Sequence, residues 1–516
     1  MIREIDIALT PEEAYQEKYH IKIISGLINV PESKISFVRI IKRSIDARRS
    51  KIIVNLRFIV GIEEEKIPIN ENIIEYQNVA NKKEILIIGA GPAGLFAALQ
   101  LISSGLKPII FERGKDVSNR KKDIAIINRE QIINPESNYA FGEGGAGAFS
   151  DGKLFTRSKK RGNIENVLNI LKQHGADENI LIDVQPHIGS DKLPQIIKNI
   201  RETIIKSGGE IHFNTKIIDF IIHESKIKGV INQHNEKIYG NAVILATGHS
   251  ARDIYNLFYD KKILIQQKPY AMGVRIEHPQ ELINQIQYHS KFNKYLPPAT
   301  YNLVCQINNH GVYSFCMCPG GTIVPASTSN EEIVLNGMSS SKRNSVFANA
   351  GLVVEIQEND LKDYRKYNEL SGLKYQQNFE ELAKRNGGGG LVAPAQRLSD
   401  FINNKLSSSL PVSSYIPGLI PSPLHSWFPE NIAYSLQNGI KHFGKLMNGF
   451  ITNEAIIVGV ESRTSSPLRI PRNDTMQHPE IERLYPCGEG AGYSGGIVSS
   501  AIDGMNCAKK ISEIIT

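Results

Sequence analysis

The feature that most constrains this chain is Gly89-Ala90-Gly91-Pro92-Ala93-Gly94, set between the apolar run Ile85–Ile88 and a helical pattern through Ala98, Leu101 and Gly105. A strand that turns into a helix through GxGxxG is built to hold the pyrophosphate of a dinucleotide. Gly89 permits the tight turn, Gly91 lets the backbone come close to the phosphates, and Gly94 lets the helix pack on the strand. The helix then offers free N–H groups and the positive end of its dipole to the anion. A second strand, Lys107–Phe111, leads into Glu112 and Arg113. Glu112 follows Gly89 by 23 residues, close to the roughly 20-residue spacing at which a carboxylate meets ribose hydroxyls. A lone GxGxxG is weak; with the strand, the helix and the acid in place, a merely structural glycine turn explains the pattern poorly.

The rest of the chain is organised around this unit. Its 516 residues suggest about three domains at roughly 150 residues each. Residues 1–80 read as a small β-α-β-β module: Ile5 and Ile7 alternate as in a strand, Thr10 caps a helix with Pro11 in its first turn, and SFVRIIKRSIDA and KIIVNLRFIVGI are β-rich. Residues 75–84 are a polar linker. The dinucleotide domain spans 81–267, with a helix over 192–207 stopped by Gly208-Gly209 and a β-meander over 210–246. Residues 268–440, rich in Pro, Ser and Gly, read as an inserted α+β substrate-facing domain, and 441–516 return to the first domain. The expected class is therefore α/β: a Rossmann-like domain with an α+β insert and an N-terminal module.

Composition excludes several alternatives. Lys and Arg outnumber Asp and Glu by 60 to 53, a mild net charge of +7 that does not by itself call for nucleic acid. The local cluster Arg39, Lys42, Arg43, Arg48, Arg49 and Lys51 has two readings, a solvated edge and turn or an anion or RNA contact. No long apolar run suggests a membrane span, and MIREIDIALTPEEAYQEKY lacks the apolar core of a signal peptide. Five cysteines without a CxxC pair fit a reducing cytoplasm better than a disulfide scaffold, and no metal-ligand spacing appears.

Two later segments bear on which dinucleotide is bound. Ala242–Gly248 (AVILATG) reads as a buried strand ending in a small-residue turn at Ala246, Thr247 and Gly248. It is similar to the strand that lies beside the cofactor in the large flavoprotein families. Leu484–Ala508 carries Gly488, Glu489, Gly495, Gly496 and Ile497 and resembles their C-terminal FAD motif, in which an acid contacts the ribityl chain and a helix N-terminus faces the flavin. Here the acid is Glu489, where many relatives have Asp. A second GxGxxG after a strand is absent, and with no CxxC dithiol the disulfide-reductase plan loses ground.

Four longer segments, Gly142–Arg157, Phe315–Ser327, Gly387–Phe401 and Gly459–Arg472, extend the resemblance over nearly the whole chain. Together with the FAD motifs they resemble a bacterial and plastid family of FAD-dependent dehydrogenases, often described as NAD(FAD)-utilising dehydrogenases. The C-terminal block is also similar to BaiN-like and aminoacetone-oxidase-like flavoproteins. The resemblance implies FAD as cofactor, the loop of Gly145 and Gly147 running along it, and Ser150, Asp151 and Lys153 near the ribityl chain or flavin. It also implies an oxidoreductase that passes hydride between flavin and a nicotinamide or small organic substrate, with NADH or NADPH as a transient reductant. It leaves the substrate open, and an RNA- or protein-docking flavoprotein or a flavin redox sensor stand as the alternatives.

Because the flavin carries the redox chemistry, no catalytic triad is expected. Arg463 and Arg397 are candidates to hold an anionic substrate by charge-assisted hydrogen bonds; the alternative for Arg463 is an internal pair with Glu461. Arg472 reads as structural. Cys316 and Cys318, at i and i+2 in CMCPGG, read either as a redox pair with Cys318 in the substrate pocket or as small apolar residues of a buried strand.

Overall fold

The computed structural model describes residues 1–49, 51–63, 73–155, 162–290 and 292–515; the last two residues of the Gly142–Arg157 segment lie outside them. At the N-terminus, strand Ile2–Leu9 pairs antiparallel with Ile53–Ile62, which pairs on its other side with Ile35–Asp46. Thr10 and Glu13 cap the first short helix reciprocally: Thr10 Oγ1 accepts from the Glu13 N–H and Glu13 accepts from the Thr10 N–H. Val54, Leu56, Phe58 and Val60 of the central strand form the core of the module together with Ala14 and Ile24 from its two helices.

The dinucleotide domain is a five-stranded sheet in the order Leu484–Pro486, Ala242–Leu245, Glu84–Ile88, Lys107–Phe111, Glu210–His212, parallel throughout. Its central strands are continuous apolar runs because both faces are covered. Ile85, Ile87, Ala242 and Ile244 face one core, shared with the helices Pro92–Ser103, Leu193–Lys206 and Ile497–Ile515. Leu86, Ile88, Val243 and Leu245 face the other, under the antiparallel meander Ile217–Tyr239 and the helix Arg252–Asp260. Glu210–His212 is thus the edge of the parallel sheet and not the start of the meander. Three residues are too few to show the alternation that would have separated them.

The insert is built on a seven-stranded sheet whose long inner strands are Phe347–Ile356, Tyr270–Pro279 and Ile456–Glu461. The last of these lies between Tyr270–Pro279 and Ala393–Arg397 and is buried throughout. The chain therefore leaves the insert after Glu461, not near 441, because Ile456–Val458 need a partner on each edge and find them only in this sheet. Among the described residues no helix is long and apolar enough to cross a membrane.

The helices Pro92–Ser103 and Ile497–Ile515 touch closely where Gly504 meets the carbonyl of Ala93; a Cβ at Gly504 would sit well inside contact distance of that oxygen. Gly504→Ala is expected to cost about 2 kcal/mol by forcing the helices apart, read as a lowered urea midpoint. An unchanged midpoint would show that the helices do not meet there.

Candidate functional site

One continuous cavity of about 350 Å³ runs across the C-terminal ends of the parallel strands, between this sheet and the insert. That position is where open α/β sheets take ligands, and the volume lies in the range of small-molecule pockets. At one end it is lined by Glu112, Arg113, Phe141 and Lys216. Its middle passes Gly91, Pro92 and Ala93, and its far end reaches Lys153, His249, Cys316, Arg463 and Glu489.

The sequence reading is brought together almost entirely. Gly89, Gly91, Pro92, Ala93, Glu112, Arg113, Gly145, Gly147, Ser150, Asp151, Lys153, Ala246, Thr247, Gly248, Gly488, Glu489, Gly495, Gly496 and Ile497 all line this cavity. Ala90 and Gly94 stand behind it. The Ala90 N–H donates to Glu112 Oε2 at 2.8 Å and its carbonyl accepts from the Gly144 N–H at 2.8 Å. Gly94 packs beneath the Gly89 carbonyl, where no side chain fits.

The fingerprint glycines divide by what demands them. Gly89 has φ +104°, and a Cβ there would lie 2.5 Å from the Ala246 carbonyl oxygen, so the protein itself requires it. Gly91 has no such neighbour: its Cβ would meet nothing closer than the Gly145 Cα at 3.8 Å. A Cβ at Gly495 would meet nothing within 4 Å. Both face the cavity, so the space a side chain would take belongs to a ligand. No side chain caps the helix Pro92–Ser103, which starts at Gly91 with Pro92 in its first turn. The helix Ile497–Ile515 opens on the same cavity, with Ser499 and Ser500 on its wall. Two helix N-termini thus turn their positive dipole ends to one space. A dinucleotide such as FAD fits this cradle.

Glu112 has a second role that its spacing did not reveal. Its carboxylate accepts backbone N–H groups from Ala90 (2.8 Å), Gly114 (2.9 Å) and Gly142 (3.0 Å). A carboxylate offers about four acceptor positions, so one remains for a ribose hydroxyl. Beside it, Arg113 pairs with Glu136 and, at 3.0 Å, with Asp253, while its guanidinium lies 4.3 Å over the Phe141 ring.

The glycine-rich loop is held from behind by Arg120, which sequence reasoning missed. It is fully buried on the helix Val117–Glu130 and donates to the carbonyls of Asn138 (2.8 Å), Tyr139 (3.0 Å), Gly142 (3.2 Å), Glu143 (2.8 Å) and Gly145 (2.8 Å). The glycine-rich loop is therefore wound around one guanidinium. Burial draws the Arg120 pKa down to about 10, opposed by Glu112 and Glu143. Nothing local marks such an arginine; only the demand of a carbonyl-rich loop for donors predicts one.

The candidate substrate residues fare differently. Arg463 lines the cavity, but each guanidinium nitrogen is engaged: Nη2 with Glu332 at 2.6 Å and Glu380 at 3.1 Å, Nη1 with Thr328 Oγ1 at 3.0 Å and Ser250 Oγ at 3.4 Å, and Nε with Glu380 at 3.2 Å. Its partner is not Glu461, which pairs instead with Arg275 at 3.1 Å. Arg397 is away from the cavity and donates to the Ser409 and Asn453 carbonyls and to Ser409 Oγ. Cys318 is buried, and Cys316 lines the cavity in its place. Asp151 holds Arg343 at 2.7 Å, with Lys153 at 3.6 Å. Arg472 clamps Asp503 through both oxygens, as a structural residue would.

Two groups at the inner end are electrostatically unusual. Burial pushes the Glu489 carboxyl up to about 7, with Lys268 opposing. His249 lies with its Nε2 4.0 Å from Glu489. Burial, helped by Arg463, Arg252 and Lys268, holds His249 down to about 3, so it is neutral at physiological pH. Its buried Nδ1 has no hydrogen-bond partner among the described residues.

Two expectations follow from this geometry. Arg120→Met leaves buried carbonyls without donors and is expected to cost about 3 kcal/mol; a urea midpoint equal to the parent's would show that Arg120 does not organise the loop. Folding raises the Glu489 pKa, so its contribution to ligand-free stability is present below about 4.5 and is lost as the pH rises through about 7. Glu489→Gln is therefore expected to lose less stability than the parent between pH 5 and pH 8. Identical losses would place Glu489 in solvent.

Residues 269–464 match the family model described as FAD-dependent protein, C-terminal domain-like, and residues 1–61 match a domain of unknown function, DUF8436. The first match spans the insert and ends just past Glu461. Solved structures resemble the chain weakly. A geranylgeranyl bacteriochlorophyll reductase-like protein from Thermoplasma acidophilum is 13% identical, with 84% of this chain and 78% of that one covered and a TM-score of 0.35. A flavin-dependent brominase is 12% identical, with 84% and 80% covered and a TM-score of 0.36. An uncharacterized protein of Clostridium beijerinckii is 40% identical over 512 residues, 95% of each chain. At that identity and coverage, this chain belongs to the same family as the clostridial protein.

Proposed function

We propose that the chain binds FAD along this cavity and acts as a flavin-dependent oxidoreductase. The observation that carries the proposal is the cradle itself: one cavity that meets Glu112, the N-terminus of Pro92–Ser103, the start of Ile497–Ile515 and two glycines whose missing side chains no protein atom requires. The match of residues 269–464 to an FAD-dependent family model supports the choice of dinucleotide.

In this reading Glu112 takes the adenosine ribose with its remaining acceptor position. Gly91 and the first turn of Pro92–Ser103 take the pyrophosphate. The Gly145–Gly147 loop, Glu489 and Gly495–Ile497 flank the ribityl chain and ring. Bound FAD supplies hydride and electron transfer. The chain's residues supply the surroundings. The N-terminus of Ile497–Ile515 favours negative charge beside it. Glu489, whose carboxyl titrates near 7, holds or releases a proton at the inner end near neutral pH. Neutral His249 adds a hydrogen-bonding group without a charge. The seven-stranded sheet closes the cavity from the other side and limits water. The electron partner is a nicotinamide or a small organic molecule.

The basic N-terminal ribbon is partly paired within the chain. Arg39 pairs with Glu178 at 2.7 Å, Arg43 with Asp183 at 2.6 Å and Arg48 with Asp46 at 2.5 Å. Its charge is spent in part on seating the module against residues 178–183.

Purified protein is expected to be yellow with one FAD per chain, and anaerobic NADH or NADPH to bleach it if a nicotinamide is the reductant. Gly91→Val places a branched side chain in the proposed phosphate position and is expected to yield folded, colourless protein. Full FAD occupancy in that variant would overturn the cradle.

A further inference from the structure

The cavity's insert-facing wall holds a group that the flavin reading does not use. Cys316 lines the cavity beside Phe315, Lys153 and Asn336. Cys318 lies two residues on, buried behind it. In a regular strand both side chains would project to one face. Here the strand His310–Cys318 shifts register against Phe347–Ile356 between Phe315 and Cys318, and Cys316 has φ +43°. A non-glycine residue held there is strained, and such strain collects at functional sites. The bulge turns both sulfurs toward one cation: Lys153 Nζ lies 3.9 Å from each Sγ and donates to the Met317 carbonyl. Arg275 Nη2 adds a second cation, 3.4 Å from Cys318 Sγ, and donates to the Cys316 carbonyl at 2.8 Å. Arg275 is fully buried and held by Glu461 at 3.1 Å and by Asn349 Oδ1 at 2.9 Å. A buried structural pair of cysteines needs no such investment.

We propose that Cys316 and Cys318 form a redox-active dithiol that exchanges an electron pair with the bound flavin and, through Cys316, with a small thiol or disulfide entering the cavity. The proposal rests on the FAD reading above. The chemistry balances. The Cys316 thiolate attacks a small disulfide RSSR, giving Cys316–S–SR and RS⁻. The Cys318 thiol then attacks Cys316, closing the internal disulfide and releasing RSH. Reduced flavin returns two electrons and a proton to that disulfide, restoring one thiolate and one thiol and leaving oxidised flavin.

The charges around the pair suit these roles. The hydrogen bond from Cys318 holds Cys316 well below the usual thiol range despite burial, with Lys153 and Arg275 adding to the effect and Asp151 opposing. The same hydrogen bond and burial hold Cys318 well above that range. One proton thus stays on the inner sulfur, and the outer one is the nucleophile. Glu461 and Glu489 are the remaining acids with charge felt at Cys316, and both titrate near 7 because burial pushes them up. Protonation of either removes a negative charge from beside Cys316.

Two measurements test this separately from the flavin reading. Oxidised glutathione is added to flavin-free protein at pH 6 and the peptides are read by mass spectrometry. The wild type is expected to form the Cys316–Cys318 disulfide, and Cys318→Ser to trap glutathione on Cys316 about tenfold or more faster than on Cys305. Equal, slow modification of Cys305 and Cys316 would overturn the proposal, whether or not the protein binds FAD. FAD-loaded, pre-oxidised protein is then titrated anaerobically with dithionite. The wild type is expected to consume two electron pairs per flavin, and Cys316→Ser one. One pair in both would show that the thiols do not exchange with the flavin, while protein that binds no FAD but forms the disulfide would fault only the cofactor reading.

Discussion

Two buried charges set the shape of the cavity. The Glu112 carboxylate collects N–H groups from the fingerprint turn, from Gly114 and from Gly142, so it ties two strand ends and the glycine-rich loop to one point. The Arg120 guanidinium collects the carbonyls of the same loop from behind. An unpaired buried charge costs several kcal/mol, so each must keep its partners. A loop rich in glycine, with few side chains of its own to pack, thereby acquires a defined path. The cradle for a dinucleotide depends on that path, because Gly145 lies directly against Gly91.

This explains what was legible in the sequence and what was not. The fingerprint, Glu112, the Ala246–Gly248 turn and the Gly488–Ile497 segment were readable because each is a local rule: a strand, a turn that only small residues make, a helix start. They converge because a parallel sheet brings its strand ends to one edge. Arg120 was not readable, since its partners lie 18 to 25 residues away and are backbone atoms with no sequence signature. The strand Ile456–Glu461 was placed in the wrong domain for a related reason. Its apolar run announces a buried strand but not which sheet receives it. Arg463 looked like an anion anchor because its partners, Glu332 and Glu380, are distant in sequence. Cys316 and Cys318 were readable as an i, i+2 pair, but the bulge that separates their environments was not.

The architecture divides labour. The domain of the parallel sheet turns backbone N–H groups and helix dipoles to the cavity, and these change little with the identity of side chains. The insert contributes the nucleophilic Cys316 and, just past the end of its last strand, Arg463, while Lys153, His249 and Glu489 come from the first domain. A cofactor site made of backbone facing a reactive wall made of side chains lets one binding plan serve different reactions.

On the proposed reading FAD lies along the whole length of the cavity. Titration of flavin-free protein with FAD, FMN and NAD by calorimetry tests it most directly. One FAD per chain is expected, bound about tenfold or more tighter than FMN, because FMN lacks the adenosine half that reaches Glu112. FMN binding as tightly as FAD, or NAD binding in place of both, would contradict it.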